Sequence, residues 1–175
     1  MRYKKTGRSA AGLRFGIVAA KFNQEVTSKL LSACTDTLTA HGVRKEDLHV
    51  VRVPGAFEIP LIARAMAKSY RVDAVICLGA VIRGGTPHFE YISAEVSRGI
   101  GQAALDTDVP IIFGVLTTDT VAQAVERADR KTFNRGGEAA KSAIEMVRVM
   151  RHVKTLGLDA GPSAGSRSVV RRSAN

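Results

Sequence analysis

Residues 74–78, Ala-Val-Ile-Cys-Leu, are apolar without a break. A strand with one wet face alternates apolar and polar residues, so an unbroken run marks a strand covered on both faces, as in a parallel sheet between helices. The same reading extends along the chain. Residues 14–20, 49–53, 74–81 and 109–116 read as strands. Helices are expected over about 24–41, 58–69, 89–105, 120–128 and 138–151, the first from the apolar stripe at 26, 30, 31, 34 and 38. Asn23 is expected to cap the first helix and Gly42 to end it. Four rounds of strand and helix mean right-handed crossovers and one parallel sheet. The expectation is an α/β, flavodoxin-like three-layer sandwich with a four-stranded parallel sheet, order 2-1-3-4, and helices on both faces.

The 175 residues suffice for one domain with a real core. No apolar run reaches the ~18 residues of a membrane span, and the N-terminus does not read as a secretory signal. The net charge of +10 invites a nucleic-acid reading, but residues 1–14 carry five basic and no acidic side chains, and residues 151–175 five basic and one acidic. Between those arms the balance is only +1. The arms, 1–13 and 152–175, read as flexible and disordered extensions of a domain at 14–151. Binding to nucleic acid would rest on them alone and is not expected. Cys34 and Cys77 are the only cysteines, Cys77 inside an apolar strand, which fits a reducing, cytoplasmic setting. Four scattered histidines and two cysteines give no metal-ligand spacing.

In an open parallel sheet, ligands bind beyond the carboxyl ends of the strands. Here those ends are Lys21-Phe22-Asn23, Pro54 to Glu58, Val81 to His88, and Leu116 to Asp119; the first three are expected to share one crevice. In the third, Gly84 and Gly85 allow close backbone approach, Thr86 suits a helix N-cap and Pro87 the first helical position. Exposed N–H groups at such a helix start form an anion site. The dipole is worth only ~0.3–1 kcal/mol at a surface, so a phosphate also wants a cation, from Arg83 or Arg127. The turn reads equally well as an ordinary capped turn. It is neither a P-loop nor a dinucleotide fingerprint. His88 follows, a candidate proton carrier beside that turn. Phe22 reads either as core or as a ring for stacking on a flat heterocycle. Glu58 reads as a dipole-favoured carboxylate or a polyol acceptor, and Phe57 and Phe113 as core or as site aromatics. A phosphoacceptor signalling domain is disfavoured, because Ala80-Val81 and Lys21-Phe22 stand where acidic residues would be needed.

Phe22-Asn23, Val53-Pro-Gly-Ala-Phe-Glu58, Gly79 to Phe89, Phe113 to Asp119 and Ser142 to Met146 stand in one order and spacing. Together they resemble the lumazine synthase family of riboflavin biosynthesis, from about Arg14 to Arg151. The resemblance implies a cofactor-independent, metal-free condensation of 5-amino-6-(D-ribitylamino)uracil with 3,4-dihydroxy-2-butanone 4-phosphate. By position, Phe22 stacks on the pyrimidine. Ala56, Phe57 and Glu58 hold it and its ribityl chain, and Ala80, Val81 and Ile82 meet it through backbone groups. Gly85, Thr86 and Arg127 take the phosphate, with His88 as proton carrier and Arg83, Arg135 and Glu138 in support.

It further implies a homopentamer or a multiple, with Phe113 and Arg127 reaching into a neighbour's site, and riboflavin synthase as a partner. The rival is a non-catalytic flavin- or lumazine-binding relative of the same fold, separated by mixing both substrates and watching for lumazine absorbance. One departure stands out: Arg135-Gly136-Gly137 replaces an expected Lys and Gly-Trp. Arg keeps the charge but changes its reach, and the missing Trp removes packing surface.

Overall fold

In the computed structural model, which describes residues 9–69 and 71–157, four parallel strands lie in the order β2-β1-β3-β4. The chain runs β1 (Phe15–Ala20), α1 (Gln24–Ala40), a 3-10 turn (Lys45–Asp47), β2 (Leu48–Val53), α2 (Ile59–Lys68), β3 (Ala74–Ile82), α3 (His88–Thr107), β4 (Ile111–Thr118), α4 (Val121–Ala128) and α5 (Arg135–Thr155). This is the expected flavodoxin-like α/β architecture, with the expected strand order.

Strand alternation sorts the core into two layers. Phe15, Ile17, Ala74, Ile76 and Leu78 meet α1, α4 and α5 on one face. Val18, Ala20, Val75 and Cys77 meet α2 and α3 on the other. β1 is buried at every position and β3 at all but its last. Fully burying a side chain such as Phe15, Leu30 or Ile76 contributes about 1.5–3 kcal/mol each. Both cysteines are buried in these layers, and burial pushes the Cys34 thiol up to about 12 and the Cys77 thiol higher still.

Several boundaries differ from expectation, each for a local reason. Ala10 and Leu13 are buried, and Ala10 N donates to His41 O at 2.6 Å, so the packed region starts inside the arm expected at 1–13. At the other end α5 runs to Thr155, past the expected limit at 151. The rest of both arms, 1–8 and 158–175, lies outside the described residues. α5 also begins at Arg135 rather than 138: Asn134, left-handed at φ 47°, accepts from Gly137 N at 3.2 Å and caps it. Gly136 is required there. A Cβ on it would stand 2.2 Å from Leu30 O, so its absence lets α5 cross α1 at backbone contact.

Candidate active site

The strands end at different heights, and that creates the site. The β1–β3 ladder stops at Ala19 and Leu78, whereas β3 pairs with β4 as far as Ile82 and Thr118. Arg83 N donates to Thr118 O at 2.9 Å, which points Arg83 and Val81 at β4. Alternation therefore turns the backbone groups of Ala80 and Ile82 the other way, past the end of the β1 ladder, where no strand among the described residues pairs with them. Asn23 occupies part of that edge. Its Nδ2 donates to Ala80 O at 2.9 Å, tying the end of β1 to β3. Asn23 stands at the start of α1 in the left-handed region and makes no side-chain cap, so the expected capping role is replaced by this tie. Lys21 N and Phe22 N continue the bonding to β2, donating to Val53 O at 2.8 Å and Pro54 O at 3.0 Å.

These ties assemble a cavity of about 690 Å³ beyond the strand ends, within the range of small-molecule sites. Its lining comes from three strand ends: Phe22 and Asn23 after β1, Pro54 to Glu58 after β2, and the last residues of β3, Ala80 to Ile82, with Gly84, Thr86 and His88 beyond them. The predicted convergence of the first three strand ends is met. Phe22 is 71% exposed and Phe57 57%, so neither is the core residue that one reading allowed. Ala56, Ala80 and Val81 are buried in the floor. Glu58 precedes the first residue of α2, and its Oε2 accepts from Gly55 N at 2.8 Å, which fixes the carboxylate at the cavity edge. Phe89 and Ile92 also line the cavity, and sequence reasoning did not assign them there. Ile92 lies one helical turn beyond His88, the signal that would have found it.

The turn after β3 departs from the expected cap. Pro87, not Thr86, is the N-cap position of α3, no side chain caps it, and His88 is the first helical residue. Glu90 N and Tyr91 N are taken by Pro87 O. Thr86 and His88 are exposed, and among the described residues no hydrogen bond engages either side chain. Neither Gly84 nor Gly85 has a positive φ, and a Cβ on either would meet nothing within 4 Å. Gly84 lines the cavity; Gly85 is exposed beside it.

The two candidate cations differ. Arg83 stacks on Phe89, its Cζ 4.2 Å from the ring centroid, and binds both Asp119 Oδ1, at 2.8 Å, and Glu90. Those hydrogen bonds, with Asp119 first, raise its pKa, and the bond from Arg83 holds Glu90 below the usual carboxylate range. Arg83 is thus a clamp joining β3, α3 and the end of β4. Arg127 does not reach this cavity. It lines a second one, of about 320 Å³, along the open edge of β4, with Phe113, Arg135 and Glu138. There Phe113 is 44% exposed, Arg135 Nη1 pairs with Glu138 Oε2 at 2.7 Å, and Ser142 lies one turn beyond Glu138.

No group of three or more His, Cys, Asp or Glu side chains among the described residues is arranged to hold a metal ion. No helix among them is long and apolar enough to cross a membrane. The predicted residues thus fall into two sets: an aromatic and titratable set at the strand ends, and an arginine-bearing set on the β4 edge.

Comparison with known proteins gives these sets a context. The 6,7-dimethyl-8-ribityllumazine synthase of Syntrophus aciditrophicus (strain SB) is 58% identical over 144 residues, covering 82% of this chain and 94% of the relative. A family model described as 6,7-dimethyl-8-ribityllumazine synthase matches residues 12–151, which contain both cavities. The chain belongs to the 6,7-dimethyl-8-ribityllumazine synthase family.

Proposed function

We propose that two copies of this chain together form one catalytic site, the strand-end cavity of one copy facing the β4 edge of the next. The reaction is that of the family: 5-amino-6-(D-ribitylamino)uracil and 3,4-dihydroxy-2-butanone 4-phosphate condense to 6,7-dimethyl-8-ribityllumazine, phosphate and water. The chain is an enzyme of that step in riboflavin biosynthesis. One observation carries the two-copy reading. Among the described residues, the cavity with the aromatic, hydroxyl and imidazole groups has no lysine or arginine in its lining, and Arg127 lines the other. A phosphorylated substrate at Gly85 and Thr86 wants that cation, since a helix start alone binds an anion weakly.

In this reading each residue has a role that its surroundings support. Phe22 stacks on the pyrimidine, which suits a ring left exposed at a strand end. The backbone edge of Ala80 and Ile82, with Val81 beside them and Ala80 O shared with Asn23, supplies donors and acceptors to a flat ring. Glu58, one oxygen on Gly55, keeps acceptor capacity for ribityl hydroxyls. Ala56 and Phe57 wall the pyrimidine, and Phe113 of the adjacent copy closes the other side. Arg135 and Glu138, paired with each other, support Arg127.

The exocyclic amine attacks the ketone and water leaves to give an imine; a proton leaves carbon and phosphate departs to leave an enol, which becomes a ketone, and the second amine closes the ring on that carbonyl with loss of a second water. Every step moves a proton, and His88, whose side chain has no partner among the described residues, is the carrier. Positioning two reactants supplies up to ~7–11 kcal/mol, whereas one acid–base group supplies about 3–5.5 kcal/mol. Arrangement therefore dominates, and the assembly that creates it is part of the mechanism.

The proposal extends to a pentamer or a multiple of pentamers, to riboflavin synthase as a partner, and to a cytoplasmic setting. Subunit mixing tests its core. His88→Ala and Arg127→Ala chains, each impaired alone, are co-assembled in equal amounts. A shared site predicts that about a quarter of interfaces regain both wild-type halves, with activity above that of either variant. Activity no higher than the mean of the two parents would sink the composite site.

A further inference from the structure

Phe133 lines neither cavity, yet both arginines of the second rest on it. Arg127 Cζ lies 5.6 Å from its ring centroid and Arg135 Cζ 5.7 Å. We propose that Phe133 is a positioning residue for the phosphorylated substrate: its ring holds the Arg127 guanidinium in the direction the phosphate must approach, with Arg135 docked on the same ring. The proposal rests on the reading of Arg127 as the phosphate's cation and names what aims it.

Arg135 has a carboxylate partner in Glu138. Arg127 has none among the described residues; its Nη1 donates to Gln123 O, at 3.2 Å, within its own helix. A long cation with one backbone tether, beside a second cation, is free to swing into water. The face of an aromatic ring is electron-rich and attracts both guanidinium groups, so it narrows that freedom while leaving their N–H donors open. The ring is itself well anchored. Asn134 N donates to Asp129 O at 2.8 Å and Lys131 N to Asp129 Oδ1 at 2.6 Å, and the Thr132 hydroxyl bonds Glu126 O. Asn134 then caps α5. Phe133 thus sits on a loop held at both ends, between Asp129, which closes α4, and Asn134, which opens α5. A partly exposed phenyl ring in that position has little packing of its own to explain it; the two guanidinium groups do.

Steady-state kinetics on the full-length assembly test this, with each substrate varied in turn. Phe133→Ala should raise KM for the butanone phosphate about twofold to fivefold, the range expected of an exposed cation–π contact that aligns one cation. KM for the pyrimidine and kcat should stay within about twofold. Phe133→Tyr, which keeps the ring face, should match wild type. Phe133→Leu, which fills similar space without a ring, should match Phe133→Ala. In an Arg127→Ala background, adding Phe133→Ala should change nothing further.

A Phe133→Leu enzyme with wild-type KM would overturn the proposal, because the ring would then be only a spacer. So would an equal Phe133→Ala effect with and without Arg127. If Arg127→Ala itself leaves KM for the butanone phosphate unchanged, the assignment of the cation fails first, and the positioning role falls with it. The Tyr and Leu variants both preserve bulk, so they decide the matter even if the Ala variant assembles poorly, which light-scattering mass would reveal.

Discussion

The turn after β3, residues 83–87, and the link from α4 to α5, residues 129–134, are both short and polar, and each leads into a long helix. They are built in opposite ways. The α4–α5 link is bonded to itself through Asp129, Thr132 and Asn134, and the glycine just beyond it is forced by contact with Leu30. In the turn after β3, Arg83 is tied to Asp119, Glu90 and Thr118, and Pro87 O accepts from α3, but the side chains of Thr86 and of His88 just beyond make no hydrogen bond among the described residues, and the glycines face open space. A link whose own groups hydrogen-bond one another and the helix before it is there to shape the protein. A turn whose polar groups are left over is shaped for something else, which supports reading it as the phosphate and proton-transfer turn.

Four substitutions test this contrast. The largest effect is expected at Gly136. Gly136→Ala drives a Cβ into the Leu30 carbonyl, and overpacking against backbone should cost about 3 kcal/mol or more, lowering the Tm of the assembly by several degrees or preventing assembly. An unchanged Tm would mean that α5 is not held against α1 as described. His88→Ala should leave Tm alone and lower kcat about 10²-fold, with activity still measurable because positioning survives. Wild-type turnover in that variant would remove the imidazole from the mechanism.

Gly84→Ala sharpens the contrast most directly, since it is the same chemical change as at Gly136. With φ in the ordinary range and no neighbour within 4 Å, it should shift stability by less than about 0.5 kcal/mol. Its kcat/KM for the phosphorylated substrate should nonetheless fall about tenfold, because the added methyl occupies ligand space. Equal losses of stability and activity would erase the distinction between the two segments.

The smallest effect is on pH dependence. The hydrogen bond from Arg83 holds Glu90 below its ordinary value of 4.5 in the folded chain. A lowered folded pKa adds stability above the ordinary carboxylate range, and that increment is lost as pH falls below 4.5 through the lowered value. Glu90→Gln should therefore lower Tm slightly at pH 7, and the gap to wild type should close as pH falls from 5 to 3, so that a small part of the acid sensitivity is lost. A wild-type acid limb in the variant would show that this exposed pair carries no linkage.

Much of this was legible before any coordinates. Apolar runs such as Ala74 to Leu78 specify strands because both faces of a parallel sheet must be dry, and their alternation with helical stripes specifies the layers. Phe22, Glu58, Thr86 and His88 were identifiable because strand ends are where such a sheet opens. What a linear reading missed depends on contacts distant in sequence. Asn23 looks like a cap and serves instead as a tie to Ala80. Thr86-Pro87 looks like a capped helix start, but the chain turns one residue later. The glycines at 136 and 137 disguised the start of α5, because their use depends on Leu30 and Asn134. The separation of Arg127 from His88 into different cavities is invisible in one dimension. So is Phe133, whose meaning comes only from the two guanidinium groups resting on it.

The overhang of β3 beyond β1 has an evolutionary consequence. Specificity written in amide and carbonyl groups is carried by no genetic letter in particular. Mutational drift at positions 80 and 82 can alter bulk while the order of donors and acceptors persists, so long as the strand outruns its neighbour. Only an imino acid could erase a donor outright. Chains that diverge widely in side chains can therefore keep the same backbone donors and acceptors at this edge, and in the proposed reading of the site a redesign of its ligand preference would have to begin with strand length rather than residue identity.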